Sequence, residues 1–175
     1  MPSLISAVVS MLAATPARWT ALAAVDPELL VRQPAPGEWS ALECLGHVVD
    51  TEADVFRARV AAIREGRDFA AFDPDIEGSR VERSMRELAA ELATARAASL
   101  QALAFLDEAD LDRTARHAEL GVVTMRELLN EWAAHDTMHV VQAERALMQA
   151  FIPASGPWRS YFADHDVEGA RAEEP

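Results

Sequence analysis

Residues 124–150 read TMRELLNEWAAHDTMHVVQAERALMQA, and this stretch decides the fold class. Thr124 with Glu127 three residues on is a capping box, in which the hydroxyl and the carboxylate satisfy each other's orphan amides. Val123 and Leu128 can close a hydrophobic staple across it. Met125, Leu128, Leu129, Trp132, Ala143 and Leu147 then recur at helical spacing. The pattern predicts a helix to about Ala150, where Pro153 and Gly156 stop it.

Working outward, a second capping box stands at Ser40-Ala-Leu-Glu43. It predicts a helix to about Glu65, closed by Gly66, with Leu42, Leu45, Val49, Phe56, Val60 and Ile63 inward. A further helix is predicted from about Arg80 to Leu106, on Met85, Leu88, Leu92, Leu103 and Leu106. The first runs from about Ser3 to Val25, with Thr15-Pro16 expected to kink or restart it. The connections are long: VDPELLVRQPAPGEW, GRDFAAFDPDIEGS and LDRTARHAELGVV. After the last helix, GPWRSYF is expected to pack Trp158, Tyr161 or Phe162 on the bundle. The expectation is one all-α domain over residues 1–165, a four-helix bundle with long connections, followed by a flexible acidic tail over 166–175.

The composition narrows the function classes. The 175 residues carry a formal net charge of −13, and all sixteen basic residues are Arg. Such a chain repels phosphate backbones and anionic bilayers, which argues against nucleic-acid and membrane partners. The single cysteine excludes an internal disulfide. The N-terminus lacks a charged region before its apolar stretch, and no apolar run reaches the length of a membrane span. A cytoplasmic protein is the expectation.

His135 and His139 lie four apart, on one face of the last helix. A pair at this spacing either shares a metal ion or is simply compatible with a helix, and spacing alone leaves both readings open. A third ligand must come from elsewhere, and His47 on the second helix is the candidate. On a helical wheel His47 sits beside Thr51, Asp54 and Ala58, away from the Leu45/Phe56 stripe. His117 and His165 fall in loop and tail and are expected to be solvated.

The stretches PGEWSALECLGHVVDTE, ELGVVTMRELLNEWAAHDTMHVVQAERALM and GPWRSYF together resemble the DinB-like superfamily. The resemblance covers nearly the whole chain in order. It implies a bundle with up-down-down-up topology and a metal site of one histidine from the second helix and two from the fourth, here His47, His135 and His139. It also implies metal-dependent hydrolases, or transferases using low-molecular-weight thiols, and frequent homodimers.

Three neutral imidazoles leave at least one coordination position open, which can activate a water or a thiol. Zinc or nickel suits imidazole best, with iron and manganese as further choices. The all-Arg, Ala-rich composition fits a GC-rich bacterial genome and, with it, mycothiol as co-substrate. Asp50 and Glu131 are candidates to receive the second ring N–H of a ligand histidine, with Glu43, already assigned to the cap, and Asp136 also at helical distance; the alternative is that all are solvated charges of an acidic surface. Cys44, one turn before His47, reads as a small buried residue in preference to a fourth ligand. No other catalytic group is identified. Two function classes stand: a metal-dependent enzyme acting on a small molecule, and a non-catalytic metal-binding or stress-associated helical bundle.

Overall fold

Ser40, Ser84 and Thr124 each accept the backbone N–H of the residue three positions on, while Glu43, Glu87 and Glu127 reach back to the cap's own N–H. Each such box contributes about 1 kcal/mol and fixes where a helix begins. The computed structural model describes residues 2–72 and 82–167. Its helices are α1 (Leu4–Leu22), α2 (Pro27–Leu30), α3 (Ala41–Thr51), α4 (Arg57–Glu65), α5 (Met85–Leu103) and α6 (Met125–Met148). A π-helical segment, Glu52–Phe56, joins α3 to α4. Gly66 ends α4 at φ 67°, the left-handed conformation that costs glycine least. The start expected near Arg80 falls partly outside the described residues; α5 begins at Met85 because the Ser84–Glu87 box sets it there.

Pro16 lies inside α1, and the helix continues through it instead of restarting. A proline at that position removes the N–H that would bond the Leu12 carbonyl. That carbonyl instead accepts from Arg96 Nη1 at 2.6 Å and from Thr15 Oγ1 at 3.3 Å. The group orphaned by Pro16 is thus satisfied from another helix.

Pairs across the interfaces give the helix directions. Thr15 meets Asp136 and Arg18 meets Glu144, so α1 and α6 are parallel. His47 meets His135 while Phe56 stacks on Trp132, so α3 and α4 run opposite to α6. Leu12 shares one core cluster with Leu103 and Trp19 shares the other with Met85, so α5 runs opposite to α1. The order is up-down-down-up. α1 and α3 each contact both α5 and α6. Because α3–α4 and α5 are parallel neighbours, a short turn cannot join them.

Two apolar clusters fill the interior, one around Leu12, Phe56, Leu103 and Trp132, the other around Trp19, Leu45, Leu88 and Val140. Between them lies a buried charge layer. Arg96, 1% exposed, donates from Nε to Glu52 Oε1 and from Nη2 to Asp136 Oδ1, both at 2.7 Å. Thr15 donates to the Asp136 carboxylate, and Trp132 Nε1 donates to Glu52 Oε2 at 3.0 Å. Buried charges persist only when paired and hydrogen-bonded in this way.

The connection before α6 holds an antiparallel hairpin, β1 (Thr114–His117) and β2 (Gly121–Thr124), with His117 opposite Gly121. Sequence reading places a loop here, because four-residue strands carry too little alternation to register. Gly121, at φ 78°, opens β2 directly after the turn at residues 118–120. Phe69 joins this hairpin: its N–H donates to the Arg116 carbonyl at 3.0 Å, and its own carbonyl accepts from Ala118 at 3.1 Å.

Of the three aromatic residues expected to dock, Phe162 is the most covered, at 36% exposed, and the other two stand in solvent. Trp158 is 64% and Tyr161 80% exposed, on a 3-10 segment spanning Gly156–Phe162. Asp166 and Val167 are buried in their place: Val167 N–H donates to Gln149 Oε1 at 3.0 Å, and Asp166 pairs with Arg159. The tail beyond residue 167 lies outside the described residues. No helix among the described residues is long and apolar enough to cross a membrane.

Candidate metal centre

The Ser40 cap starts α3 so that His47 faces α6 two turns later, opposite His135 and His139. His47 Nε2 lies 3.0 Å from His135 Nε2, and one ring nitrogen from each of the three lies within 4.8 Å of the others. Tetrahedral ligands at metal–nitrogen distances of ~2.0–2.1 Å sit about 3.3 Å apart, so small ring rotations bring all three onto one ion. Among the described residues no other group of histidine, cysteine or acidic side chains gathers in this way.

The protonation state suits ligation. Burial, and next the neighbouring His139, hold His47 down at about 4. Burial, followed by His139, His47 and Arg59, holds His135 at about 3. His139 is also lowered by burial, against the opposing pull of Gln142 and Asp136. All three rings are therefore neutral at pH 7, the form that offers a lone pair. The Nδ1 of His139 bonds Gln142 Oε1 at 2.9 Å, which puts its proton on Nδ1 and leaves Nε2 free to ligate. The Nδ1 of His47 is buried with no partner among the described residues.

Of the two candidate carboxylates, Asp50 is paired away from the histidines and Glu131 stands beside them without bonding a ring. Asp50 Oδ1 receives Arg83 at 3.3 Å. Glu131 lines the cavity beside the histidines, its carboxyl raised by burial and lowered by the charge of Arg59. Glu43 caps α3, and Asp136 belongs to the Arg96 layer. Cys44 is fully buried and its thiol is pushed up to about 12, chiefly by burial. Trp132 is core, 1% exposed.

Aromatic rings frame the cluster. Trp39 stacks on His139 at 5.7 Å and tilts against His47 at 4.9 Å, and Phe56 presents its edge to His135 at 5.0 Å. Phe56 reaches this side because of the π segment. At about 100° per residue, nine residues would set Phe56 opposite His47 on a regular helix. The wider π turn, with one more residue per turn, takes up about 100° of that difference and brings Phe56 and Arg59 toward the His47 side, where both line the cavity. A cavity of about 400 Å³ opens here.

His117 was expected in solvent but is 6% exposed and lines this cavity. The hairpin carries it inward, and its Nδ1 accepts the N–H groups of Glu119 at 3.1 Å and Leu120 at 3.3 Å. His165 is exposed, as sequence position implied. Gln142, one turn beyond His139, could have been noticed from its i+3 spacing. Trp39, Arg59 and His117 carried no such local signal.

The sequence profile of the DinB superfamily matches residues 11–143. The chain belongs to the DinB superfamily. No curated protein matches it at the sequence level. Among solved structures, this DinB-superfamily chain is similar to YfiT from Bacillus subtilis, described as a probable metal-dependent hydrolase with an unusual four-helix bundle topology. The TM-score is 0.72 at 15% identity, covering 83% of this chain and 86% of that chain. At such identity the likeness concerns the fold alone.

Proposed function

We propose that this DinB-superfamily protein is a metal-dependent hydrolase of small organic molecules, with its divalent ion held by His47, His135 and His139. The observation that carries this reading is the convergence of three neutral imidazoles from two helices at one side of a cavity of about 400 Å³. The likeness in fold to a protein described as a probable metal-dependent hydrolase points the same way. Zinc or nickel held there supplies Lewis acidity and lowers the pKa of a water or thiol at an open position. The chain's own residues do the rest. Gln142 fixes the tautomer of His139, and Trp39 and Phe56 keep bulk water from the rings. A low-molecular-weight thiol such as mycothiol fits the same opening, and the corresponding S-transferase is the parallel reading. A cytoplasmic homodimer belongs to the same proposal, and sedimentation at micromolar concentration tests the dimer.

Metal analysis of purified protein tests the centre. About one equivalent of zinc or nickel per chain is expected, lost with chelator, regained on dialysis, and absent in His139→Ala. Protein that neither carries nor rebinds these ions overturns the reading. An ester and amide panel, run with and without mycothiol, then assigns the reaction. Bound metal with no turnover in either arm leaves the non-catalytic metal-binding module.

A further inference from the structure

Beside the histidine cluster, the same cavity holds a second polar pair that the metal reading does not use. Arg59 is half-buried on α4, with its guanidinium 5.4 Å from the Phe69 ring centre. Among the described residues it forms no ion pair; its one hydrogen-bond-range neighbour is His117 Nε2, 3.4 Å from Nη2. The two backbone N–H groups on His117 Nδ1 decide the tautomer of that ring: Nδ1 must accept, so in the neutral ring the proton sits on Nε2. Burial, and then the charge of Arg59, keep this imidazole below its usual range and hence neutral. Nε2–H and Nη2–H are therefore two donors facing each other with no acceptor between them. An oxygen at ordinary hydrogen-bond distance from both would resolve that contact.

The geometry points to Arg59 and His117 as the recognition site for a carboxylate on the substrate, whose remaining atoms lie along the apolar wall toward the three histidines. Arg59 brings one positive charge and His117 one neutral donor, while the charge of Glu131 acts on Arg59 and that of Glu119 on His117, so the pocket has no surplus positive charge and suits a monoanion over a phosphate dianion. Val55, Phe72, Leu120 and Met138 offer the organic body an apolar wall. The inference rests on the metal-dependent reading only for which end of the substrate reacts; the carboxylate site itself needs no metal.

Phenylacetate and its neutral analogue phenylacetamide are suitable probes, titrated calorimetrically into metal-free and zinc-loaded protein. Wild type should bind phenylacetate at least ~10-fold more tightly than the amide in both forms, and Arg59→Met should abolish the preference. Equal binding of the two probes overturns the proposal, as does a preference that survives in Arg59→Met. A preference seen only with zinc also overturns it, because the carboxylate then sits on the ion. Should Arg59→Met fail to fold, nitrogen-15 spectra of wild type decide. His117 should be the Nε2–H tautomer, with its Nε2 proton shifting on addition of phenylacetate and not of phenylacetamide. Since the preference is read in metal-free protein, a failure of the metal reading leaves this result unaffected.

Discussion

At the residue scale, His139 differs from its two companions because its far nitrogen is held by Gln142. Removing that acceptor leaves the ring free to turn and to change tautomer. Gln142→Ala should weaken zinc binding by about 10- to 100-fold while the far-ultraviolet spectrum stays unchanged; competition with a chromophoric chelator measures it. The buried rings also set a pH dependence. Unfolded histidine titrates near 6.5, whereas His47 and His135 titrate near 4 and 3 in the fold. Below pH 6.5 the unfolded chain takes up protons that the folded chain refuses. Stability of the metal-free protein is thus fully present above that pH and falls as the pH drops toward 4. The steepest slope is about 1.4 kcal/mol per histidine per pH unit. Melts at pH 7, 6 and 5 should show the loss, and His135→Gln should make it shallower. At this scale the sequence was partly transparent. The spacing of His135 and His139 announced itself, and the family resemblance named His47. Arg59 and His117 did not, since their meaning comes from a hairpin and a π turn that bring distant positions together.

At the element scale, the helices were legible because their starts are local chemistry. Ser40 and Glu43 need only each other, so two residues reveal where α3 begins. Ser40→Ala should cost about 1 kcal/mol, lowering the melting temperature by roughly 2–4 °C, and should leave the helical content intact. Two features escaped the same reading. Continuity of α1 through Pro16 depends on Arg96, which reaches the freed Leu12 carbonyl from a helix more than eighty residues away in sequence. The π segment likewise depends on Glu52 turning toward Arg96 and Trp132. Each exception to local rules is supported by the one buried charge layer, which no short window contains.

At the scale of the whole molecule, that layer couples the bundle. Arg96 touches α1, the π segment and α6, and removing it strands Glu52 and Asp136 without their counter-charge. Arg96→Met should therefore cost about 3–5 kcal/mol, a drop of roughly 10 °C in melting temperature by calorimetry. Zinc acts in the opposite direction. At a free concentration 100-fold above Kd it should add about 2.7 kcal/mol, and excess chelator should return the melt to its metal-free value. The distance along the chain between His47 and His135, 88 residues, has its own consequence. An ion held as proposed would clasp a loop of about half the polypeptide, so all three imidazoles could grip it only once α3 and α6 had packed together. On that reading, full coordination would come late in assembly, and a newly made chain would gain its chemistry only when the bundle had closed.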